Sequence, residues 1–131
     1  MDKLLAVMRE LREKCPWDQQ QTPQSLTPYA IEEAYEVEAA IRVGQPEEIR
    51  DELGDLLLQV VFQAQMYSEQ GAFDFNDVVH AITEKLIRRH PHVFQAENFS
   101  QLNSADVMLL WKQIKQQEKQ GKAHSRLDEI K

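Results

Sequence analysis

The chain has one cysteine, four glycines and five prolines among 131 residues. A lone Cys15 excludes an intrachain disulfide and fits a reducing compartment. The scarcity of Gly and Pro, with no low-complexity tract or repeat, confines expected disorder to the ends. No apolar run approaches the ~20 residues that span a bilayer. Arg9, Glu10, Arg12 and Glu13 interrupt any signal-peptide core near the N-terminus, so a cytoplasmic protein without membrane contact is expected. Positive charge is also short, with 15 Lys and Arg against 22 Asp and Glu, a net charge of -7. That balance argues against a nucleic-acid-coating surface, which is usually basic. It leaves room for a small anionic substrate held through metal ions. No segment alternates with period two over a useful length. The fold class is therefore all-α, and the length suits one domain with a real core.

Five helices are expected. Residues 2–14 carry Leu4, Leu5, Met8 and Leu11 at helical spacing, and Cys15-Pro16 ends them because proline disfavours helix in the preceding residue. Gln19 to Leu26 reads as a polar connection. Thr27-Pro28 reads as N-cap and first helical residue of a second helix to about Val43, stopped by Gly44. Pro46 opens a third helix to about Gln70, stopped by Gly71. Its main apolar stripe is Ile49, Leu53, Leu56, Leu57, Val60 and Ala64. A second stripe is Leu58, Phe62 and Met66. A helix apolar on two sides needs partners on two sides, which points to a dimer or tetramer. Asn76 is the expected N-cap of a fourth helix to about Arg89, with Pro91 beyond its end. Residues 91–103 read as irregular. Ser104 is the expected cap of a fifth helix to about Gln120, stopped by Gly121. A domain over 1–121 and a polar tail over 122–131 result.

The informative pattern is a pair of acid clusters placed symmetrically about Gly44. Glu32-Glu33-Ala34-Tyr35-Glu36 precedes it and Glu52-Leu53-Gly54-Asp55 follows it. Folding back at Gly44 sets Glu36 level with Glu52 and Glu33 level with Asp55. Four carboxylates then converge, which is unfavourable unless a cation fills the space. Acids at this spacing are common on solvated helix faces. Three features argue against that here: the pairing at matched levels, the lack of Lys or Arg within either cluster, and the continuation of the second acid face into Leu58, Phe62 and Met66. Without histidine, all-carboxylate ligation suits Mg²⁺, with Mn²⁺ as the alternative.

EExxE followed by ExxD on two antiparallel helices resembles the signature of the all-α nucleoside triphosphate pyrophosphohydrolases of MazG type. The resemblance extends to Cys15-Pro16-Trp17-Asp18, Gln21-Thr22, Pro28-Tyr29, Gly54-Asp55-Leu56-Leu57 and Phe73-Asp74-Phe75. Arg88-Arg89-His90-Pro91-His92-Val93-Phe94 and Trp111-Lys112-Gln113-Ile114-Lys115 complete it, over roughly residues 1–130. Pro23 departs from it, standing where relatives often carry His or an aromatic residue. Bacterial proteins of this type usually carry two such domains in tandem. This chain stops after Leu127-Asp128-Glu129-Ile130, about where the first would give way to the second. A single-domain relative or an N-terminal fragment is expected.

The resemblance implies metal-dependent hydrolysis of a nucleoside triphosphate to a monophosphate and pyrophosphate, by water attack at the α-phosphorus. It implies Glu33, Glu36, Glu52 and Asp55 as metal ligands, and their i, i+3 spacing agrees. Glu32 is expected to orient or deprotonate the water or to meet a further ion. Lys85, Arg88 and Arg89 on the fourth helix and Lys115 on the fifth are expected on phosphate, with Trp111 against the base. For Lys85, Arg88 and Arg89 the competing reading is helix C-terminal charge, and for Trp111 a core position. Trp17 is expected to anchor the first loop, and His90 and His92 to be structural or rim residues. Cys15 has no partner that would make it a nucleophile. The partners expected are a nucleoside triphosphate and further copies of the chain, with no nucleic acid. The alternative function is a non-catalytic nucleotide-binding or dimerisation module.

Overall fold

A computed structural model describes the backbone of residues 1–130 and the side chains of residues 1–121. The helices are α1 (Asp2–Lys14), α2 (Pro16–Gln20), α3 (Pro23–Val43), α4 (Pro46–Glu69), α5 (Phe75–Arg89), α6 (Pro91–Phe94) and α7 (Ser104–Ile130). A 3-10 turn covers Ala96–Asn98. No strand occurs among the described residues, so the fold is all-α as its sequence pattern requires. The helices beyond the expected five are the short α2 and α6. Each has proline at its first position, where the missing N–H costs nothing. The chain forms two compact units, residues 1–79 and the residues from His80 onward.

In the first unit, Met8 of α1, Leu26 of α3, and Val61, Phe62 and Met66 of α4 form the core, flanked by Leu4, Leu5, Leu58 and Phe75. The stripe running through Leu58, Phe62 and Met66 is thus the one buried in α4. The larger stripe is fully buried only at Ala64, while Leu53, Leu57 and Val60 remain 48%, 38% and 41% exposed.

α3 starts earlier than expected. Thr22 is its N-cap, and the Thr22 and Ser25 side chains each accept from the other's backbone N–H in a reciprocal box. Pro28 lies inside the helix and cannot donate to the carbonyl of Gln24. Thr27 Oγ1 donates to that carbonyl instead, at 3.0 Å. The earlier start brings Leu26 into the core rather than into a connection.

α3 ends as expected, with Gly44 left-handed at φ 87° and its N–H donating to Ala40 at 2.9 Å. α4 then runs back along α3, opened by Pro46. Asp74, not Asn76, caps α5, through reciprocal backbone bonds with Asp77 of 2.9 Å each. Asn103 rather than Ser104 caps α7, in the same way with Asp106. α7 passes through Gly121 instead of stopping there. An interior glycine costs about 1 kcal/mol but does not by itself end a helix. The side chains of the expected tail, 122–131, lie outside the described residues.

In the second unit α5 and α7 are joined through one carboxylate. Glu118 accepts from Arg88 Nε at 2.9 Å and from Arg89 Nη2 at 2.9 Å. His90 packs edge-on against Trp111, with centroids 5.3 Å apart.

Candidate functional site

The turn at Gly44 sets the acids of α3 against those of α4. Glu33, Glu52 and Asp55 each place a carboxylate oxygen within 4.8 Å of the others. Glu33 and Glu52 are half-buried and Asp55 is exposed. Oε2 of Glu33 is buried with no hydrogen-bond partner. Burial first, then the negative charges of Asp55 and Glu52, raise the Glu33 carboxyl above its ordinary value. A proton on Glu33 could be shared with Glu52, but two ionised carboxylates have no hydrogen to share. A cation is the other way to satisfy that oxygen. Three convergent carboxylate oxygens, one of them buried and unsatisfied, are the donor type that a hard divalent ion takes.

Glu36 is not one of the three. It stands one turn further along α3 and lines an open groove of about 270 Å³ with Glu48, Asp51 and Glu52. Glu52 belongs to both the groove and the triplet. Glu32, adjacent to Glu33 and so about 100° around the helix, is exposed and outside the triplet. Glu48 and Asp51 were not singled out from sequence. Their signal was there: they precede Glu52 and Asp55 by four residues, hence on the same face.

Arg12 is the residue that holds most of the loop before α3. Arg12 donates through Nη1 to the carbonyls of Asp18 and Gln21, and through Nε and Nη2 to Glu69 at 2.9 and 2.6 Å. Trp17 is 49% exposed and meets Tyr29 edge-on at 5.9 Å. Tyr29 is one helical turn before Glu33 and therefore shares its face.

In the second unit, Lys85 and Arg88 are exposed and Arg89 half-buried on α5, while Lys115 is exposed and Trp111 half-buried on α7. The structure joins Arg88 and Arg89 to each other through Glu118, a residue not considered from sequence. Its signal was the i, i+3 spacing from Lys115. The two arginines hold the Glu118 carboxyl down to about 2. Trp111 lines a cleft of about 300 Å³ with Leu102, Val107 and Met108. Its Nε1 is buried without a partner, as is Nδ1 of His92. His90 Nδ1 lies 2.6 Å from the Leu86 carbonyl, which can only accept, so this nitrogen carries the proton.

Fold and cluster together define an all-α protein with a carboxylate site suited to a hard divalent cation. Residues 21–94 match the MazG nucleotide pyrophosphohydrolase domain. The chain belongs to that family. It is 52% identical over 134 residues to the nucleoside triphosphate pyrophosphohydrolase of Escherichia coli K12, covering 99% of this chain and 50% of that protein. It is 47% identical over 132 residues to the nucleoside triphosphate pyrophosphohydrolase/pyrophosphatase MazG of Thermotoga maritima, covering 98% and 49%. The chain thus spans about half the length of these curated relatives. The crystal structure of a MazG-related protein from Thermotoga maritima shares the fold, with a TM-score of 0.74, 22% identity and coverage of 88% of this chain and 99% of that one.

The charge cluster makes a prediction about stability. A carboxyl whose pKa rises on folding stabilises the fold below its ordinary value, and that stability is lost as pH rises through the raised value. At neutral pH the metal-free fold therefore carries the repulsion. Glu33→Gln is expected to raise the melting temperature of EDTA-treated protein at pH 7.5 by about 2–5 °C, as roughly 1 kcal/mol of relief would. Calorimetry checks this, and a lower melting temperature would mean that Glu33 is not under repulsion.

Proposed function

We propose that this chain hydrolyses nucleoside triphosphates, NTP or dNTP, to the monophosphate and pyrophosphate. The observation that carries this is the Glu33–Glu52–Asp55 cluster with its unsatisfied Glu33 oxygen. Family membership and the printed activity of the relatives support it. Glu33, Glu36, Glu52 and Asp55 would hold Mg²⁺, with Mn²⁺ as the substitute. Such an ion supplies a lowered water pKa and neutralises phosphate charge. Glu32, beside the triplet and open to solvent, orients the attacking water and takes its proton. The water oxygen bonds to the α-phosphorus, the bond from that phosphorus to the bridging oxygen breaks, and pyrophosphate leaves with the electron pair. Lys85, Arg88, Arg89 and Lys115 are assigned to the phosphate chain and Trp111 to the base by the motifs they share with the family. We assign residues 1–121 to the functional domain and 122–131 to a tail outside it.

The protein acts in the cytoplasm as a homodimer or tetramer, without nucleic acid as partner. Support for assembly comes from α3 and α4, where Ile31, Tyr35, Leu53, Leu57 and Val60 are all exposed. Ile31 with Tyr35, and Leu53 with Leu57, are spaced four apart and so form exposed apolar stripes that a second copy could cover.

Product analysis tests the activity. The full chain is incubated with a panel of NTPs and dNTPs and Mg²⁺, and products are resolved by phosphorus NMR. Monophosphate and pyrophosphate are expected. Diphosphate and orthophosphate would overturn the proposal. No turnover by folded, cation-loaded protein would favour a non-catalytic nucleotide-binding module.

A further inference from the structure

Glu118 sits beneath the arginines it holds. Its side chain is 19% exposed, against 26% for Arg89 and 53% for Arg88. Its hydrogen bonds take Nε of Arg88, and Nε and Nη2 of Arg89. They use neither Nη atom of Arg88 and not Nη1 of Arg89. A guanidinium carries five N–H donors in a rigid plane, so a carboxylate on the Nε edge fixes the plane and leaves the other end for a second anion. Lys85 precedes Arg89 by four residues on α5, and Lys115 precedes Glu118 by three on α7, so each lies on the face in question. Two arginines thus meet one carboxylate, with Lys85 and Lys115 one helical turn away on the same helices, a local excess of positive charge in a chain of net charge -7.

We propose that Glu118 is a positioning residue, which holds the Nε edges of Arg88 and Arg89 from beneath and presents their Nη ends to the phosphate chain of the substrate. This rests on the reading above that the substrate is a nucleoside triphosphate. The carboxyl stays ionised through any physiological pH, because the two arginines hold it down to about 2. Two other roles give different results. A carboxylate that competes with phosphate for the arginines would make its removal tighten binding. One that only joins α5 to α7 would affect stability and leave affinity alone.

The test uses the full chain with two probes, inorganic tripolyphosphate in metal-free buffer and NTP with Mg²⁺. Tripolyphosphate binding is measured by calorimetry. Glu118→Gln is expected to weaken it about 10-fold, the usual worth of an oriented charge-assisted bond. Glu118→Asp keeps the charge but is too short to bridge both arginines, and is expected to weaken binding about 3-fold. Removing both arginines, as Arg88→Ala with Arg89→Ala, is expected to abolish it. With NTP, the loss in Glu118→Gln is expected to fall mainly on KM rather than kcat. Circular dichroism establishes folding, and if Glu118→Gln does not fold, Glu118→Asp carries the test. Wild-type or tighter binding in the folded variants overturns the proposal, as does a wild-type chain that does not bind tripolyphosphate. NTP hydrolysis with unchanged KM in Glu118→Gln overturns this assignment and leaves the proposed function standing. The expected tripolyphosphate pattern without NTP hydrolysis does the reverse.

Discussion

Glu52→Gln is expected to lower NTP hydrolysis by about 10²–10⁴-fold, the several kcal/mol that a catalytic cation contributes. Glu52 is the acid to change because it joins the two halves of the site. It is within 4.8 Å of both Glu33 and Asp55, and it lines the groove that contains Glu36. Glutamine preserves its shape and its apolar stem, and it removes one like charge from a crowded set. The variant should therefore fold at least as well as the parent while holding a divalent ion more weakly. Calorimetric Mn²⁺ titration and a pyrophosphate-release assay on the same preparation check both parts. Parental turnover together with parental ion binding would take the cluster out of the chemistry.

Arg12→Ala is expected to destabilise the fold by about 2–4 kcal/mol, read as a lower urea midpoint with little change in slope. Most of this does not come from the ion pair. Glu69 is 37% exposed, so solvent screens its attraction to Arg12, and pairs of that kind contribute about 1 kcal/mol or less. The larger part comes from the Arg12 side chain itself, only 14% exposed. Its loss takes a donor from the carbonyls of Asp18 and Gln21, of which Asp18 keeps the Gln21 N–H at 3.3 Å, and removes the cation 5.9 Å from the Phe62 ring. Hydrogen bonding to Arg12 lowers the Glu69 carboxyl, so the stability from this pair is present above the ordinary carboxylate value and is lost as pH falls through the lowered one. The gap between parent and variant should narrow in acid but not close. Glu69→Gln, which leaves the carbonyl contacts intact, should cost less than half as much.

The helix pair and its acids were legible because they depend on local rules. Gly44 supplies a left-handed stop and Pro46 a start, so the acids on either side must face one another. The start of α3 was not legible for an equally local reason. Thr27-Pro28 satisfies the sequence rule for a helix beginning, and so does Thr22-Pro23. What decides is that Thr27 takes up the carbonyl left open by Pro28, a compensation visible only in three dimensions. Which stripe of α4 packs against the rest of its own chain was not legible, because periodicity shows that two stripes exist but does not rank them. Packing against Met8 and Leu26 chose the one containing Phe62 and Met66. Arg12 and Glu118 were hidden because their partners lie 57 and about 30 residues away in sequence.

The carboxylate triplet is confined to one stretch of chain, between positions 33 and 55, closed by a single turn. Contacts so near in sequence lose little loop entropy on closing, and structures rich in them form early. The acids therefore meet as soon as α3 and α4 do, before the more distant pairings of Arg12 with Glu69 are made. A divalent ion held by the triplet would therefore act on the helix hairpin itself, and refolding is expected to be faster with Mg²⁺ than in EDTA, as stopped-flow fluorescence would measure.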